Sequence, residues 1–399
     1  MLMIIETHPI QYHAPVWQYL NQVLGIPVTV VYGSDFSVEG YRDKEFGISI
    51  AWDADLLEGY KSIFLSKSRE GGAKSDLEVN VKGLEDVIFR LNPTAILSVG
   101  YSPKFHSDAV RVAKKIGIPL MFRGETNDQA RVRSPLKRLI RYIYLKLFYT
   151  NFSALIHVGK QSEKHYKKLG FKTDFQFLSP YCVDPKPFQT DEFSRLACRN
   201  KVRKEIGANE DQIVLMFCGK LSPRKNPGLL LEAVKRLGCG RHAKFFILLV
   251  GDGELQPKLE NEAKKFNIPL KHVGFKKQNE LSSFYHASDL LVLPSKLGET
   301  WGLVVNEALH HGVPAVVSNR VGCADDLIVS GLTGEVFNNE DAVSLGESLV
   351  NAVKLTGILE IRIKCKQKIS EYSVENAAKG IAYAYSHILN KKSDNVENR

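Results

Sequence analysis

Glu299 and Glu307 offer the clearest chemistry in this chain because of the stretch that holds them, residues 294–309, which reads P-S-K-L-G-E-T-W-G-L-V-V-N-E-A-L. The apolar run over 290–293 reads as a buried strand, a loop with two glycines follows, and a helix starts near Gly302. At such a start the N–H groups of Thr300, Gly302, Leu303 and Val304 find no partner inside the helix. The positive end of the helix dipole lies there too, so the loop suits an anion such as a phosphate. Glu299 falls in the loop and Glu307 more than a turn into the helix, an expected separation of roughly one to two helical rises of 5.4 Å. Taken singly, a helix-start acid and a solvated surface acid are the plain readings. Their shared loop favours a joint role toward a bound ligand.

Positioning such a loop takes strands that alternate with helices. Strands are expected over 2–5, 28–32, 95–99, 119–122, 155–158, 213–218 and 245–250, with helices over 81–91, 107–116 and 375–389. The alternation is that of βαβ units and a parallel sheet, an α/β fold. Residues 179–188 are rich in proline and read as a linker, which divides the chain into domains over 1–180 and 190–372 and a last helix over 373–390. Ligands of open α/β sheets bind at the carboxyl ends of the strands. His8, Gln11 and His13 follow the first strand, His106 lies beyond the third, and Arg123 and Glu125 follow the fourth. For His8 and His13, local hydrogen bonding in a loop is as good a reading as a place in the crevice. Asp53 and Asp55 form a D-x-D of the kind that elsewhere holds a metal through oxygen. No apolar strand delivers them, so no metal site is expected, and Trp52 and Tyr60 read as acceptor-side residues or as packing of a long loop.

The stretch over 294–309 resembles the E-x7-E element of the retaining nucleotide-sugar glycosyltransferases of family 4, and the resemblance is strongest over 215–334. It implies the GT-B fold, two Rossmann-like domains facing across a deep cleft, with the last helix crossing back to the first domain. Gly219, Lys220 and Lys225 resemble the family's G-R-x4-K diphosphate site, with Lys220 where arginine is usual. Lysine keeps the charge and loses the bidentate fork. By the same resemblance Glu299 contacts the transferring hexose and Glu307 the ribose, while Gly251, Phe275 and Lys276 belong to the base and ribose side. Thr300, Gly302, Leu303 and Val304 join the diphosphate site. The family's glycine-rich first loop and the histidine after its fourth strand are absent, leaving His8, Arg123 and Glu125 as candidates by location. The implied activity is a retaining, metal-independent hexosyl transfer from a nucleoside diphosphate sugar to a hydroxyl acceptor, a glycan, glycolipid or small molecule, without a cofactor, in polysaccharide or glycolipid assembly. Two rivals are a nucleotide-sugar epimerase of GT-B-like fold and a non-catalytic nucleotide-sugar-binding protein. The presence of both carboxylates and both lysines argues against the second, and turnover of donor alone would separate the first.

Composition bounds the rest. The 399 residues, 44% hydrophobic and 25% charged, suffice for two domains with a core each. No signal peptide or membrane span is read, so a cytoplasmic protein is expected. Six cysteines, among them Cys182, Cys218 and Cys323, form no C-x-x-C pair and suggest neither disulfides nor zinc. A net charge of +10 suits anionic partners without choosing among them. Over 131–149 basic residues meet no acid, and Leu136, Leu139, Ile140, Ile143 and Leu147 recur at helical spacing. Two readings stand equally: this helix lies on the inner face of an anionic membrane, or its apolar stripe packs on the first sheet. Nucleic acid is not expected, for no binding motif accompanies the charge.

Overall fold

The structure, a computed structural model, describes residues 1–38, 41–42, 49–50, 56–73, 75, 78–79, 82–102, 104–130, 133–238 and 244–397. Asp53, Asp55 and Trp52 lie outside the described residues. The strands are β1 (Leu2–Glu6), β2 (Val28–Tyr32), β3 (Tyr41–Arg42), β4 (Ser49–Ile50), β5 (Lys61–Phe64), β6 (Ala95–Val99), β7 (Leu120–Gly124), β8 (Ala154–His157), β9 (Gln176–Leu178), β10 (Ile213–Cys218), β11 (Phe245–Val250), β12 (Leu270–His272), β13 (Leu290–Leu293), β14 (Ala315–Ser318) and β15 (Gly334–Phe337). The helices are α1 (Ala14–Gln18), α2 (Leu84–Leu91), α3 (Lys104–Ile116), α4 (Pro135–Tyr149), α5 (Lys160–Lys168), α6 (Glu192–Ile206), α7 (Gly228–Arg236), α8 (Gln256–Lys265), α9 (Gln278–Ala287), α10 (Leu303–His310), α11 (Ala324–Leu327), α12 (Ala342–Val353), α13 (Leu359–Ser370) and α14 (Val374–Glu397).

The chain forms two units. The first comprises Met1–Thr126, Val132–Cys182 and Ser373–Arg399, the second Asn127–Arg131 and Val183–Tyr372. Each is built on a parallel sheet, ordered β5-β2-β1-β6-β7-β8-β9 in the first and β12-β11-β10-β13-β14-β15 in the second. The antiparallel pair β3-β4 stands apart. Both sheets reverse their winding next to the first strand of the unit, between β1 and β6 and between β10 and β13. Loops that leave the strands on either side of such a reversal open a crevice, and ligands of doubly wound folds bind there.

Unbroken apolar runs make these strands, because a parallel sheet is covered by helices on both faces. In β1, Leu2 and Ile4 pack with Trp17 and with Ala377, Ile381 and Ala384 of α14, whereas Met3 and Ile5 face Val87, Ile88 and Ala109 on α2 and α3. That alternation is the two-residue period of a strand. In the second unit Leu215, Phe217, Ile247 and Leu249 pack against Leu230 and Val234 of α7 and Leu345 and Leu349 of α12. A charged clamp ties α6 to this sheet. Asp289, just before β13, accepts from Arg199 at 2.7 Å, Arg203 at 2.9 Å and the Val214 N–H at 2.8 Å.

Helix α4 overturns one of the two readings of its sequence. Leu136, Leu139, Ile140, Ile143 and Leu147 are exposed, and the residues that pack inward are Leu145, Phe148 and Tyr149. The apolar stripe read from the sequence therefore does not cover the sheet. Tyr60 takes its packing role, with its hydroxyl 2.7 Å from that of Tyr32.

Candidate functional site

In the second unit the site grows from two loops that leave neighbouring strands on one side of the reversal. After β10 the chain runs through Gly219, Lys220 and Leu221, and after β11 through Gly251, Asp252 and Gly253. These loops lie backbone to backbone: the Gly219 N–H donates to Val250 at 2.9 Å and the Leu221 N–H to Asp252 at 2.9 Å. Gly251 has φ +121°, and a Cβ there would lie 2.1 Å from the Gly219 carbonyl oxygen, so no other residue fits. Next to them the loop after β12 is fastened to the same place. The Gly251 N–H donates to Gly274 at 2.8 Å, His272 Nε2 donates to the Gly251 carbonyl at 2.8 Å, and the Phe275 N–H donates to Asp252 Oδ2 at 2.9 Å. Lys276 stands over the ring of Phe284, 5.5 Å from its centroid.

Across the reversal, the loop after β13 carries Glu299. Its Oε2 accepts from Lys225 Nζ and, at 2.8 Å, from Ser295 Oγ. Lys225 comes from the loop after β10, so this ion pair closes the gap between the two loops. Burial alone would raise the Glu299 carboxyl, but Lys225 and then Ser295 outweigh it and hold the acid below its ordinary range. Arg224 Nη1 donates to the Gly298 carbonyl at 3.0 Å, a second tie between the same loops. On the far side the Gly322 N–H donates to the Glu299 backbone carbonyl at 3.1 Å and the Cys323 N–H to the Trp301 carbonyl at 2.9 Å. A Cβ on Gly322 would fall 1.8 Å from the Thr300 carbonyl oxygen, an approach only glycine permits.

Helix α10 begins directly after this loop. Its N-cap is Gly302, which has no side chain to cap the first turn. The N–H groups of Thr300, Gly302, Leu303 and Val304 have no acceptor among the described residues. They are the orphan donors of a helix start, with the positive end of the dipole behind them. Glu307, one turn on, is 3% exposed, so it is not the solvated acid of the plain reading. Its Oε2 accepts from the Tyr285 hydroxyl at 2.7 Å, and burial pushes its carboxyl up to about 7, with the Tyr285 bond working in the opposite direction.

The first unit holds a separate buried polar chain. Glu6, at the end of β1, accepts from His13 Nδ1 and from Trp17 Nε1 at 3.2 Å. Arg123 Nη1 lies 3.3 Å from His13 Nε2, and Arg123 Nε donates to Ser179 Oγ at 3.1 Å. Ser179 in turn donates to the Ala377 carbonyl of α14 at 2.9 Å. Arg123 is thus inside β7 and 3% exposed rather than in the loop after it. Glu125 is exposed, and His8 Nδ1 is 2.9 Å from Thr7 Oγ1 with its ring against Phe36. His106, expected in a crevice, is buried against Ser98 Oγ at 3.0 Å, and burial lowers its pKa to about 4.

The sequence of the second unit matches a known pattern. The family described as glycosyl transferases group 1 covers residues 199–372. These residues form a glycosyl transferases group 1 domain. The lipopolysaccharide 1,2-N-acetylglucosaminetransferase of Salmonella typhimurium is 27% identical over 210 residues, 49% of this chain and 54% of that protein. The D-inositol 3-phosphate glycosyltransferase of Rhodococcus erythropolis is 29% identical over 198 residues, 47% of this chain and 44% of that protein. The chain thus spans about half the length of the curated relatives it matches. Among solved structures, Anabaena HepE in complex with UDP has a TM-score of 0.70 at 16% identity over 97% of this chain and 99% of its own. A glycosyltransferase from Rickettsia africae has a TM-score of 0.70 at 14% identity over 97% and 98%. At such identities the likeness is one of fold, and the fold is GT-B: two Rossmann-like units, each on a parallel sheet.

Within the group 1 domain the structure gathers Gly219, Lys225, Gly251, Glu299 and the start of α10 around one strand reversal. Ser295, Arg224 and Tyr285 complete the arrangement and were not singled out from the sequence. Ser295 lies in the quoted loop, where a hydroxyl beside two acids could have drawn notice. Tyr285 had no such signal, since it arrives from α9, 22 positions away from the acid it holds.

Proposed function

We propose that the protein transfers a hexosyl group from a nucleoside diphosphate sugar to a hydroxyl acceptor with retention at the anomeric carbon. The observation that carries this reading is the Lys225–Glu299 pair beside the uncapped start of α10. A departing diphosphate needs preorganised positive charge and N–H donors. Lys220, Lys225 and the N–H groups of Thr300, Gly302, Leu303 and Val304 supply them, and no cofactor or metal is called for. Glu299, kept ionised by Lys225 and Ser295, addresses the hexose. Glu307 presents its second oxygen to the ribose while Tyr285 holds the first. Phe275 and Lys276 flank the base. Arg123, Glu125 and His8 belong to the acceptor side. The match to glycosyl transferases group 1 supports transfer as the activity, and the UDP held by Anabaena HepE makes a UDP-hexose the first donor to try.

The test is Lys225→Ala. Its loss should weaken nucleoside diphosphate binding and lower kcat/KM by roughly 10²-fold, the scale of one lost charge-assisted contact to a developing anion. Calorimetry and steady-state rates check it, and unchanged values for both would remove the assignment. Incubation with donor alone gives a sugar epimer if the chain is an epimerase instead, and no product if it needs an acceptor.

A further inference from the structure

Helix α4 carries apolar side chains on two opposite sides. Leu145, Phe148 and Tyr149 face the core of the first unit, where Phe148 and Tyr149 pack around Phe122. Leu136 and Leu147 are 11 positions apart, three full turns, and so share a face, with Ile140 and Ile143 between them. Leu145 is 9 positions from Leu136, two and a half turns, which puts it on the reverse. The outer stripe is open: Leu136 is 66% exposed, Ile140 59% and Leu147 64%. Single exposed leucines need no explanation, but a continuous stripe along a whole helix marks a contact surface.

The charge around the stripe says what it fits. Lys137 and Lys146 flank it on either side, Arg138 and Arg141 lie further round the helix, and residues 133–150 contain no acid. Tyr142 and Tyr144, at 36% and 51% exposed, sit beside it with rings suited to a boundary between apolar and aqueous phases. Fifteen residues make a helix of about 22 Å, too short to span a bilayer of about 30 Å of hydrocarbon and suited to lying along its surface. We infer that α4 docks the first unit on an anionic lipid surface, with the outer stripe among the acyl chains and the cations at the headgroups. Protein partners of this stripe would need a dense acidic rim around an apolar groove, whereas an anionic bilayer offers both at every point.

The experiment is co-flotation of the full chain with phosphatidylcholine vesicles, with and without a third of phosphatidylglycerol. It does not depend on the sugar-transfer reading, because no donor is present. Binding is expected to the anionic vesicles and to fall with added salt. Lys137→Gln with Lys146→Gln should weaken it about fivefold per cation. The triple variant Leu136→Ser, Ile140→Ser, Leu147→Ser, whose changed side chains are exposed and whose fold circular dichroism can confirm, should abolish it. Equal binding to both vesicles, or a triple variant that floats like its parent, overturns the inference. So does a parent that ignores vesicles and forms a dimer by sedimentation that the triple variant lacks, for then the stripe meets a second copy.

Discussion

The two glutamates share a loop and a helix but live in different electrostatic settings. Lys225 and Ser295 keep Glu299 ionised in spite of burial, whereas Glu307 has a hydroxyl for company and is pushed up to about 7. If Glu299 addresses the hexose as proposed, Glu299→Gln should lower kcat by roughly 10²-fold while the nucleoside diphosphate still binds. Under the same proposal Glu307→Gln should weaken the diphosphate itself, since the proposed ribose contact would be made with or without the sugar. Equal weakening of diphosphate binding by both would end this division. Glu307 also makes stability depend on pH. Below about 4.5 it is protonated in the folded and the unfolded chain alike. From there to about 7 the folded chain keeps a proton that the unfolded chain has given up, so stability falls as pH rises through this window, by roughly 3 kcal/mol in all. Urea titrations across pH 4 to 8 should show a slope that Glu307→Gln flattens. Tyr285→Phe should carry the upper end of the slope to higher pH, because the Tyr285 hydroxyl favours the ionised form.

Among the elements, Asp289 is the joint most open to test. Its carboxylate answers two arginines of α6 and the N–H of Val214 in a place where Arg203 is itself buried. Asp289→Ala leaves those cations unpaired and should cost about 3–5 kcal/mol, read from the shift in denaturation midpoint. The strands at the heart of each sheet could be read from the sequence because they are buried on both faces: β2, β6, β10, β11 and β13 have the bounds that their apolar runs suggest. Shorter edge strands such as β5 and β9, with exposed or half-buried residues, lack that signal. The loop of Glu299 was legible because glycines and acids with a helix start make a local pattern. The chain from Glu6 through His13 and Arg123 to Ser179 was not, because it joins residues from three distant segments and no spacing in one segment records it. Helix α4 shows the opposite failure: its periodicity was plain, but period alone does not say which of two apolar sides faces the core.

For the molecule as a whole, the proposed function draws the positive charge for a diphosphate from lysines and a helix start in the group 1 domain. Turnover should accordingly survive chelation. Loss of activity in EDTA with recovery in Mn²⁺ would show that a metal takes part and would bring Asp53 and Asp55 back into consideration. The first unit is not one continuous piece of chain: α14 returns to it after the whole of Val183–Tyr372. Ala377, Ile381, Ala384 and Ile388 fill a face of its core, and a Cβ on Gly380 would lie 1.8 Å from the Leu178 carbonyl oxygen, so this helix is seated tightly. On the ribosome, where chains emerge from the N-terminus, the unit begun first is therefore finished last. Until α14 appears, Leu2, Ile4 and Trp17 lack their cover, while the group 1 domain has every strand of its sheet in hand. A nascent chain arrested after Tyr372 should thus yield a protease-resistant second unit joined to a first unit that is still cut, with chaperones holding the face that the last helix will close.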